Sequence, residues 1–309
     1  MKCICRGEII GRVTAGASKL TGLPEGLPVA ATANDKAVEA LGSGLIEPNI
    51  GLLSLGTYTT AMVFGSEYRD ETENVFTNLS SVPHQYLYEC AGIRGGMWHI
   101  SWILELLGKE FADKAVLCGC SVEELLEQEA VAVPAGSDGL LIVPDWLAPA
   151  DKLHKKGVMI GFDQRHTRGH IYRAMMEALA MRMKNNFDAM NKDLGSSPEQ
   201  FIVCGGGSNS DLFMQIIADV FGVTALRNRV NGAAGLGSAI CAAVGTGYYG
   251  GFNEAVQKMV HQEKVFTRDE EQHKRYKAIN EGAYKNLTAM LSETLQTIHN
   301  VVENQSYII

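Results

Sequence analysis

The sequence predicts an α/β fold in which a mixed β-sheet is flanked by helices. Two apolar runs, at 50–56 and 59–64, are typical of neighbouring strands joined by a tight turn at Gly56-Thr57-Tyr58. Further along the chain, an apolar strand at 201–204 runs directly into a helix. Strands that come first, with alternating helices and strands behind them, indicate a sheet covered by helices. A chain of 309 residues is long enough to bury such a core.

Shorter segments complete the first half of the chain. An apolar run at 27–31 leads to a short helix at 36–42, which we expect to end at Gly42 because glycine readily terminates helices. The other segments with a recognisable pattern are strands at 140–144 and 157–161 and helices at 97–107 and 122–129.

The second half alternates helices and strands. At 170–194 the apolar residues recur at the spacing of one helix face, which predicts a long helix with one buried stripe. Behind it we predict a helix at 209–221, a strand at 223–226, a helix at 233–244 and a helix at 276–302. The main sheet is expected to hold residues 50–56, 59–64, 157–161 and 201–204, with the helices 170–194 and 209–221 packed on it.

The composition excludes several classes of partner. Hydrophobic residues make up 46% and charged residues 20%, as in an ordinary globular protein. Asp and Glu outnumber Lys and Arg by 35 to 27, and this net charge of −8 argues against nucleic acid or an anionic membrane as partner. No apolar run approaches the roughly 20 residues of a membrane-spanning helix. The first eight residues turn charged at once, unlike a signal peptide.

The seven cysteines predict free thiols in a cytoplasmic protein. Their number is odd, two pairs have the spacing C-x-C, and the sequence contains no C-x-x-C. A zinc site needs four suitably spaced thiolate or imidazole ligands, and the sequence does not assemble them. No metal ligand is therefore assigned.

Gly205-Gly206-Gly207-Ser208 connects a strand to a helix. Three glycines allow positive φ and let a ligand approach the main chain, and the following helix points its free N–H groups at the loop. Such a loop suits a nucleotide or an anion, but a purely structural turn with Ser208 or Ser210 as helix cap explains it equally well. The loop matches neither the dinucleotide-binding G-x-G-x-x-G pattern nor the P-loop.

Two further segments have both a structural and a functional interpretation. Ser54-Leu55-Gly56-Thr57 is either a plain β-turn or a loop whose hydroxyl and amide groups meet a ligand. Asp35 stands between an apolar run and a helix start, where a carboxylate interacts favourably with the helix dipole, caps the helix or serves as a general base. Taken singly, each segment is better explained as structure.

Taken together and in order, these segments resemble the FGGY family of carbohydrate kinases. Gly157-x-Met159-x-Gly161-Phe162, seven residues, and then His170-Ile171-x-x-Ala174-Met175-Met176-Glu177 are similar to a signature of that family. The order of Asp35, Ser54–Thr57, this signature, Gly205–Ser208 and Gly235-Leu236-Gly237-Ser238-Ala239 is also similar. The resemblance extends from about Gly7 to about Val260, and Ser-Leu-Gly-Thr-Tyr looks closer to the xylulokinase-like branch than to glycerol kinases.

The resemblance implies the ribonuclease H-like, actin-like ATPase fold, in which two lobes close over ATP. It implies that the phosphates of ATP contact Ser54, Gly56 and Thr57, and that the adenosine pocket is lined by Gly205, Gly206, Gly207, Ser208 and Asn209. Asp35 would be the general base that takes the proton of a sugar hydroxyl as it attacks the γ-phosphate. The implied partners are a small sugar and ATP, together with Mg²⁺ to neutralise phosphate charge.

The chain departs from the family pattern in several places. It lacks the Asp-x-Gly-Thr loop that opens the N-terminal lobe, so we expect a remnant of that lobe at 1–46, the C-terminal lobe at 47–299 and a tail at 300–309. Lys36 replaces the neutral amide that often follows the base, and Asn231 stands near the place where the family often has an acid. A separately encoded N-terminal lobe or a second copy of the chain would then cover an exposed cleft face.

Two functions stay open on the sequence alone. The first is ATP-dependent phosphorylation of a sugar hydroxyl, with a pentulose such as xylulose as the type of acceptor that the resemblance implies. The second is a non-catalytic nucleotide-binding or interaction module, either half of a split kinase or a degenerate paralogue.

Overall fold

The computed structural model describes residues 6–70, 72–148, 152–195 and 197–304. The strands are β1 Ile9–Arg12, β2 Pro28–Ala30, β3 Ile50–Leu55, β4 Tyr58–Gly65, β5 Phe76–Leu79, β6 Tyr86–Glu89, β7 Ile93–Arg94, β8 Leu141–Val143, β9 Val158–Ile160, β10 Gln200–Cys204, β11 Thr224–Asn228 and β12 Gln262–Phe266. The helices are α1 Ala15–Thr21, α2 Asp35–Ser43, α3 Trp98–Cys118, α4 Val122–Val131, α5 Arg168–Leu194, α6 Asp211–Phe221, α7 Ala233–Gly245, α8 Phe252–Met259, α9 Glu270–Ile279 and α10 Lys285–Asn304. Within the described ranges, none of these helices is long and apolar enough to cross a membrane.

The main sheet is mixed and has β3 near its centre. Its strand order is β12-β11-β10-β3-β4-β6-β5, and the short β7 pairs with the start of β4. β3 runs parallel to β10, and β10 runs parallel to β11, whereas β3 and β4 form an antiparallel hairpin. The strands predicted at 50–56, 59–64 and 201–204 therefore belong to one sheet.

Alternation along the central strands gives the sheet two buried faces. Leu53 and Leu55 point into the larger core, which also contains side chains of α5 and α6. Leu52 points to the opposite face, where it packs with Ala37 of α2 and Ala233 of α7. Helices thus cover both faces, and α2 and α7 share one of them.

One predicted strand lies outside the main sheet. The sequence predicts 157–161 as part of it, but β9 pairs with β8 in a separate two-stranded antiparallel sheet. All three residues of β9 are only half-buried, and a Cβ on Gly161 would lie 2.3 Å from the Gly139 carbonyl oxygen. An apolar run indicates a strand without identifying its partner, so this part of the prediction is wrong.

Several helix ends also differ from the sequence pattern. α2 continues past Gly42 and ends at Gly44, whose φ of 89° is left-handed. α3 continues to Cys118 through a break at Gly108, where φ is 71°. The single helix predicted at 276–302 is instead α9, a π-helical segment at Asn280–Tyr284 and α10. A glycine in the sequence therefore marks a helix end, a break or neither, depending on what it packs against.

The division into segments 1–46, 47–299 and 300–309 stays a prediction. α2 lies in the first segment and packs on the sheet of the second, and α10 runs across residue 300. Residues 1–5, with Cys3 and Cys5, lie outside the described part of the chain. Within the described part, the five cysteines are free.

The family-like signature in α5 contributes to a buried hydrogen-bond network. Glu177 is 2% exposed and accepts hydrogen bonds from the Gly136 amide at 3.0 Å, the Ser137 hydroxyl at 2.9 Å and the Tyr276 hydroxyl at 2.8 Å. Residues 136–139 all have positive φ, two of them without being glycine. The carboxylate of Glu177 thus holds a strained turn in place, because several donors satisfy it at once.

α2 and α7 cross with their backbones in contact. A Cβ on Gly42 would lie 1.8 Å from the Ala233 carbonyl oxygen, and one on Gly237 would lie 1.9 Å from the Val38 carbonyl oxygen. Only glycine, which has no Cβ, allows so close an approach at these two positions. The crossing anchors α2, whose first residue is Asp35.

We predict that Gly237→Ala destabilises the protein and that Gly235→Ala, on the same helix, does not. The methyl group at 237 must push α2 away from α7, which costs about 1–3 kcal/mol, as overpacking usually does. The Cβ position of residue 235 has no atom within 4 Å, so alanine there favours the helix by about 0.5–1 kcal/mol. Urea unfolding of both variants measures the difference, and equal stabilities would contradict the close crossing.

Candidate functional site

The turn after β3 and the glycine loop after β10 lie side by side. Because the two strands are parallel neighbours, with Ser54 opposite Cys204, their carboxyl ends meet at one edge of the sheet. Gly205 has φ of 86°, and a Cβ there would lie 2.6 Å from the Leu55 carbonyl oxygen. The two loops identified in the sequence therefore form one continuous surface.

The three glycines of the loop have different surroundings. Gly205 is held against Leu55, and a Cβ on Gly207 would lie 2.8 Å from Met97 Sδ. Gly206 is exposed, and its Cβ position has no atom within 4 Å. Packing thus explains Gly205 and Gly207, whereas Gly206 leaves its main chain open to a ligand.

Ser208 and Asn209 are linked to the segment that precedes α7. Ser208 is buried, and its hydroxyl donates to the Gly205 carbonyl oxygen at 2.8 Å. The Asn231 side-chain amide donates to Asn209 Oδ1 at 2.9 Å, and Arg227 donates to the Ser208 carbonyl oxygen at 3.0 Å. Asn209 is exposed, so it can meet a ligand directly, whereas Ser208 shapes the loop. The sequence analysis does not anticipate these roles of Asn231 and Arg227.

A third loop, which the sequence analysis misses, borders the hairpin. The Met97 amide donates to the Gly56 carbonyl oxygen at 3.0 Å, and a Cβ on Gly96 would lie 2.4 Å from that oxygen. The available signal was the pair Gly95-Gly96 directly before α3. Two glycines before a helix do not by themselves predict a binding loop, because the sequence does not show which segment packs against them.

The hairpin turn exposes Thr57 and buries Ser54. Gly56 and Thr57 are the two residues between β3 and β4, and Thr57 is exposed at the tip. Ser54 is 1% exposed, and its hydroxyl faces α2, where it accepts from Lys36 Nζ at 3.0 Å and donates to Glu39 Oε2 at 2.9 Å. The side chain of Ser54 is therefore bound within the protein, and the turn presents Thr57 and its backbone.

Asp35 is the exposed first residue of α2. The helix cap is Asn34, whose side-chain oxygen accepts from the Ala37 amide at 2.8 Å. The interpretation of Asp35 as the cap is therefore wrong. Its Oδ1 accepts instead from the Lys36 amide at 2.8 Å, and the helix dipole favours a negative charge at this position.

Glu89 adds a buried carboxyl group near Ser54. It lies at the end of β6, is 8% exposed and accepts from Asn78 Nδ2 at 2.8 Å. Burial raises the pKa of Glu89, although the nearby Lys36 ammonium acts in the opposite direction. Lys36, Tyr58 and Glu89 line a cavity of about 430 Å³ that opens beside the hairpin.

Comparison with known proteins identifies relatives of this arrangement. Residues 51–246 match the C-terminal domain of the FGGY family of carbohydrate kinases. The chain is 41% identical over 302 residues to the uncharacterized sugar kinase YgcE of Escherichia coli (strain K12), covering 96% of this chain and 61% of that protein. It is 28% identical over 301 residues to the xylulose kinase of Staphylococcus epidermidis, covering 94% of this chain and 58% of the relative.

A solved structure confirms the fold. The xylulose kinase from Rhodospirillum rubrum matches with a TM-score of 0.79 at 28% identity, covering 95% of this chain and 58% of that one. The ribonuclease H-like, actin-like fold implied by the sequence resemblance is therefore confirmed. The chain spans about six-tenths of the length of the relatives that it matches.

We predict that Glu89→Gln stabilises the protein at neutral pH and that this advantage disappears in acid. The pKa of Glu89 is raised in the folded state. At a pH between the ordinary Glu pKa of about 4.3 and this raised pKa, the unfolded chain has lost the proton that the folded chain still holds. Folding of the parent therefore weakens as pH rises through this window. Glutamine has no such charge and keeps an acceptor for Asn78.

Urea unfolding of Glu89→Gln and the parent across a pH series measures this effect. Glu73→Gln is the matched control, because Glu73 is exposed at the rim of the same cavity. A stability difference between Glu89→Gln and the parent that stayed constant with pH would contradict the prediction.

Proposed function

The chain belongs to the FGGY family of carbohydrate kinases. We propose that it forms part of the active site for ATP-dependent phosphorylation of a sugar hydroxyl, with a pentulose of the xylulose type as acceptor. The observation that carries the proposal is the shared sheet edge, where the turn at Gly56–Thr57 adjoins the loop at Gly205–Asn209. The names of the xylulose kinases among its relatives support the class of acceptor.

We propose that ATP lies along the edge where β3 and β10 end. Gly206 and Asn209, the exposed members of their loop, would meet the adenosine, and Gly56 and Thr57 would meet the phosphates. Phosphoryl transfer requires mainly positioning and stabilisation of charge, which backbone amides and a hydroxyl can supply. Ser54 would contribute through the hairpin that it anchors, because its own hydroxyl is bound to α2.

Mg²⁺ would enter with the nucleotide. Among the described residues, no three His, Cys, Asp or Glu side chains converge on one point. An ion held mostly by phosphate oxygens and water fits this chain, because Mg²⁺ commonly keeps several waters and binds through its substrate. When bound, it would neutralise phosphate charge during transfer.

Asp35 is our proposed general base. Because its Oδ1 accepts from the Lys36 amide, Oδ2 is the atom that would take the proton from the sugar hydroxyl. The hydroxyl oxygen would then bond to the γ-phosphorus as the bond from that phosphorus to the β–γ bridging oxygen breaks and ADP leaves. The exposed position of Asp35 leaves room for the sugar.

A complete site would also include a phosphate loop of the Asp-x-Gly-Thr type, which these 309 residues do not contain. We propose that an N-terminal lobe supplies this loop, either in the same polypeptide or as a separate chain. We also propose a cytoplasmic location, which suits a protein whose cysteines are free within its described part.

We predict that Gly206→Val weakens the binding of ADP by about tenfold or more, which corresponds to at least about 1.4 kcal/mol. The Cβ of the valine would lie in the open space above residue 206, with no protein atom within 4 Å. Gly11→Val is the matched control, because Gly11 also has no atom within 4 Å of its Cβ position and lies in β1. Calorimetric titration with ADP and Mg²⁺ measures both variants, and parental affinity in Gly206→Val would remove the glycine loop from the site.

We predict that Asp35→Asn lowers kcat by about 10²–10⁴-fold, because the asparagine cannot accept the proton. Asn34 remains as the cap, so the stability of the variant should stay close to that of the parent. The assay follows ATP-dependent phosphorylation of a panel of sugars, with the chain alone and with an N-terminal lobe of a xylulose kinase added. Glu123→Gln, an exposed carboxylate in the first turn of α4, is the control.

Each outcome of this assay has a definite meaning. Parental kcat in Asp35→Asn would exclude Asp35 as the base. ADP binding without phosphorylation of any sugar, even with the added lobe, would support the non-catalytic nucleotide-binding module instead.

A further inference from the structure

A single lysine touches both the proposed base and the strand of the hairpin. The backbone amide of Lys36 donates to Asp35 Oδ1 at 2.8 Å. Its side chain reaches across to β3, where Nζ donates to Ser54 Oγ at 3.0 Å and to Glu39 Oε2 at 3.1 Å. Ser54 Oγ in turn donates to Glu39 Oε2 at 2.9 Å, so the three side chains form a closed ring.

The ring is partly buried, which strengthens its contacts. The side chains of Lys36 and Glu39 are 27% and 19% exposed, and Ser54 is almost fully buried. Hydrogen bonds that involve charged groups are stronger than neutral ones, and partial burial reduces competition from water. Lys36 and the buried Glu89 also line the same cavity, where burial raises the pKa of Glu89 and the Lys36 ammonium acts in the opposite direction.

The ring adds polar contacts at the end of α2 that begins with Asp35. The glycine crossing holds α2 against α7 along most of its length, because Gly42 approaches Ala233 and Gly237 approaches Val38. Asp35 at the amino end is exposed, and its place depends on the residues that follow it. Ala37 packs this first turn against Leu52, and the contacts of Lys36 and Glu39 with Ser54 add a polar link to β3.

We infer that Lys36 is a positioning residue, which sets the place of Asp35 relative to the hairpin. When a bound nucleotide orders the hairpin, Lys36 transmits that order to the start of α2. The importance of this link for catalysis rests on the proposed function, whereas the link itself does not. Ser54 acts as its anchor on β3, and Glu39 holds the ammonium group in place.

The first experiment needs no ligand. Amide hydrogen exchange is measured in the first turn of α2 for the parent, Lys36→Met and Ser54→Ala, with Lys258→Met as an exposed control on α8. We expect both ring variants to exchange about 5- to 30-fold faster there, as expected for the loss of hydrogen bonds to a charged group, and the control to match the parent. Parental exchange in both ring variants would overturn the inference.

The second experiment adds ADP and Mg²⁺ at saturating concentration. In the parent, we expect the nucleotide to slow exchange in the first turn of α2. In Lys36→Met, ADP should bind within about twofold of the parental affinity but no longer protect this turn, and Lys36→Arg should restore the protection because its guanidinium can reach the same oxygens. Protection that persists in Lys36→Met, or that Lys36→Arg fails to restore, would overturn the inference. A general loss of stability would not produce the expected result, because it does not remove the protection while leaving ADP binding intact.

The two experiments separate the inference from the proposed function. A parent that binds no ADP would contradict the proposed function, and the ligand-free comparison alone would then decide whether Lys36 holds the helix. Faster exchange in both ring variants supports the link even in that case.

Discussion

The contact between the backbones of α2 and α7 is the constraint on which the candidate site depends. Because Gly42 and Gly237 have no side chains, the two helices approach until backbone meets backbone. The contact involves Ala233, the first residue of α7, and so fixes the segment whose Asn231 holds Asn209. The same contact directs α2 across the sheet so that its first turn reaches Ser54. One close approach therefore positions elements on both sides of the proposed cleft.

The parallel pairing of β3 with β10 provides the second part of this geometry. Parallel neighbours end at the same sheet edge, so the turn at Gly56–Thr57 and the loop at Gly205–Asn209 become adjacent although they are distant in the chain. The contact between Gly205 and Leu55 leaves no space between them. The loop that ends at Met97 then closes the third side by donating to Gly56.

Two groups of charged side chains, one buried and one partly buried, use similar chemistry for different purposes. Glu177 accepts from several donors, including Arg173 at 2.9 Å, and holds the strained turn at 136–139. The ring of Lys36, Glu39 and Ser54 lies instead beside the exposed Asp35. Burying charges seldom adds much net stability, but it specifies one arrangement, because any other leaves a charge without its partner. The first group specifies the core, and the second specifies the site.

The sequence by itself determined the elements whose signals are local. Apolar alternation identified β3 and β4, helical periodicity identified α5, and a run of glycines identified the loop at Gly205–Ser208. The order of these motifs indicated the family, which the match over residues 51–246 confirms. The positions of Asp35 at a helix start and of Thr57 in a hairpin turn also follow from such local patterns.

Only the tertiary structure decided which residues meet. The pairing of β9 with β8 and the contacts of Lys36 with Ser54 and of Asn231 with Asn209 could not be predicted from the sequence. Contacts between distant segments depend on strand order and on how closely two helices cross, and neither leaves a repeating pattern in the chain. Gly42 shows the reason most clearly: as a letter in the sequence it predicts a helix end, but the backbone of α7 packed against it makes it the closest point of a helix crossing.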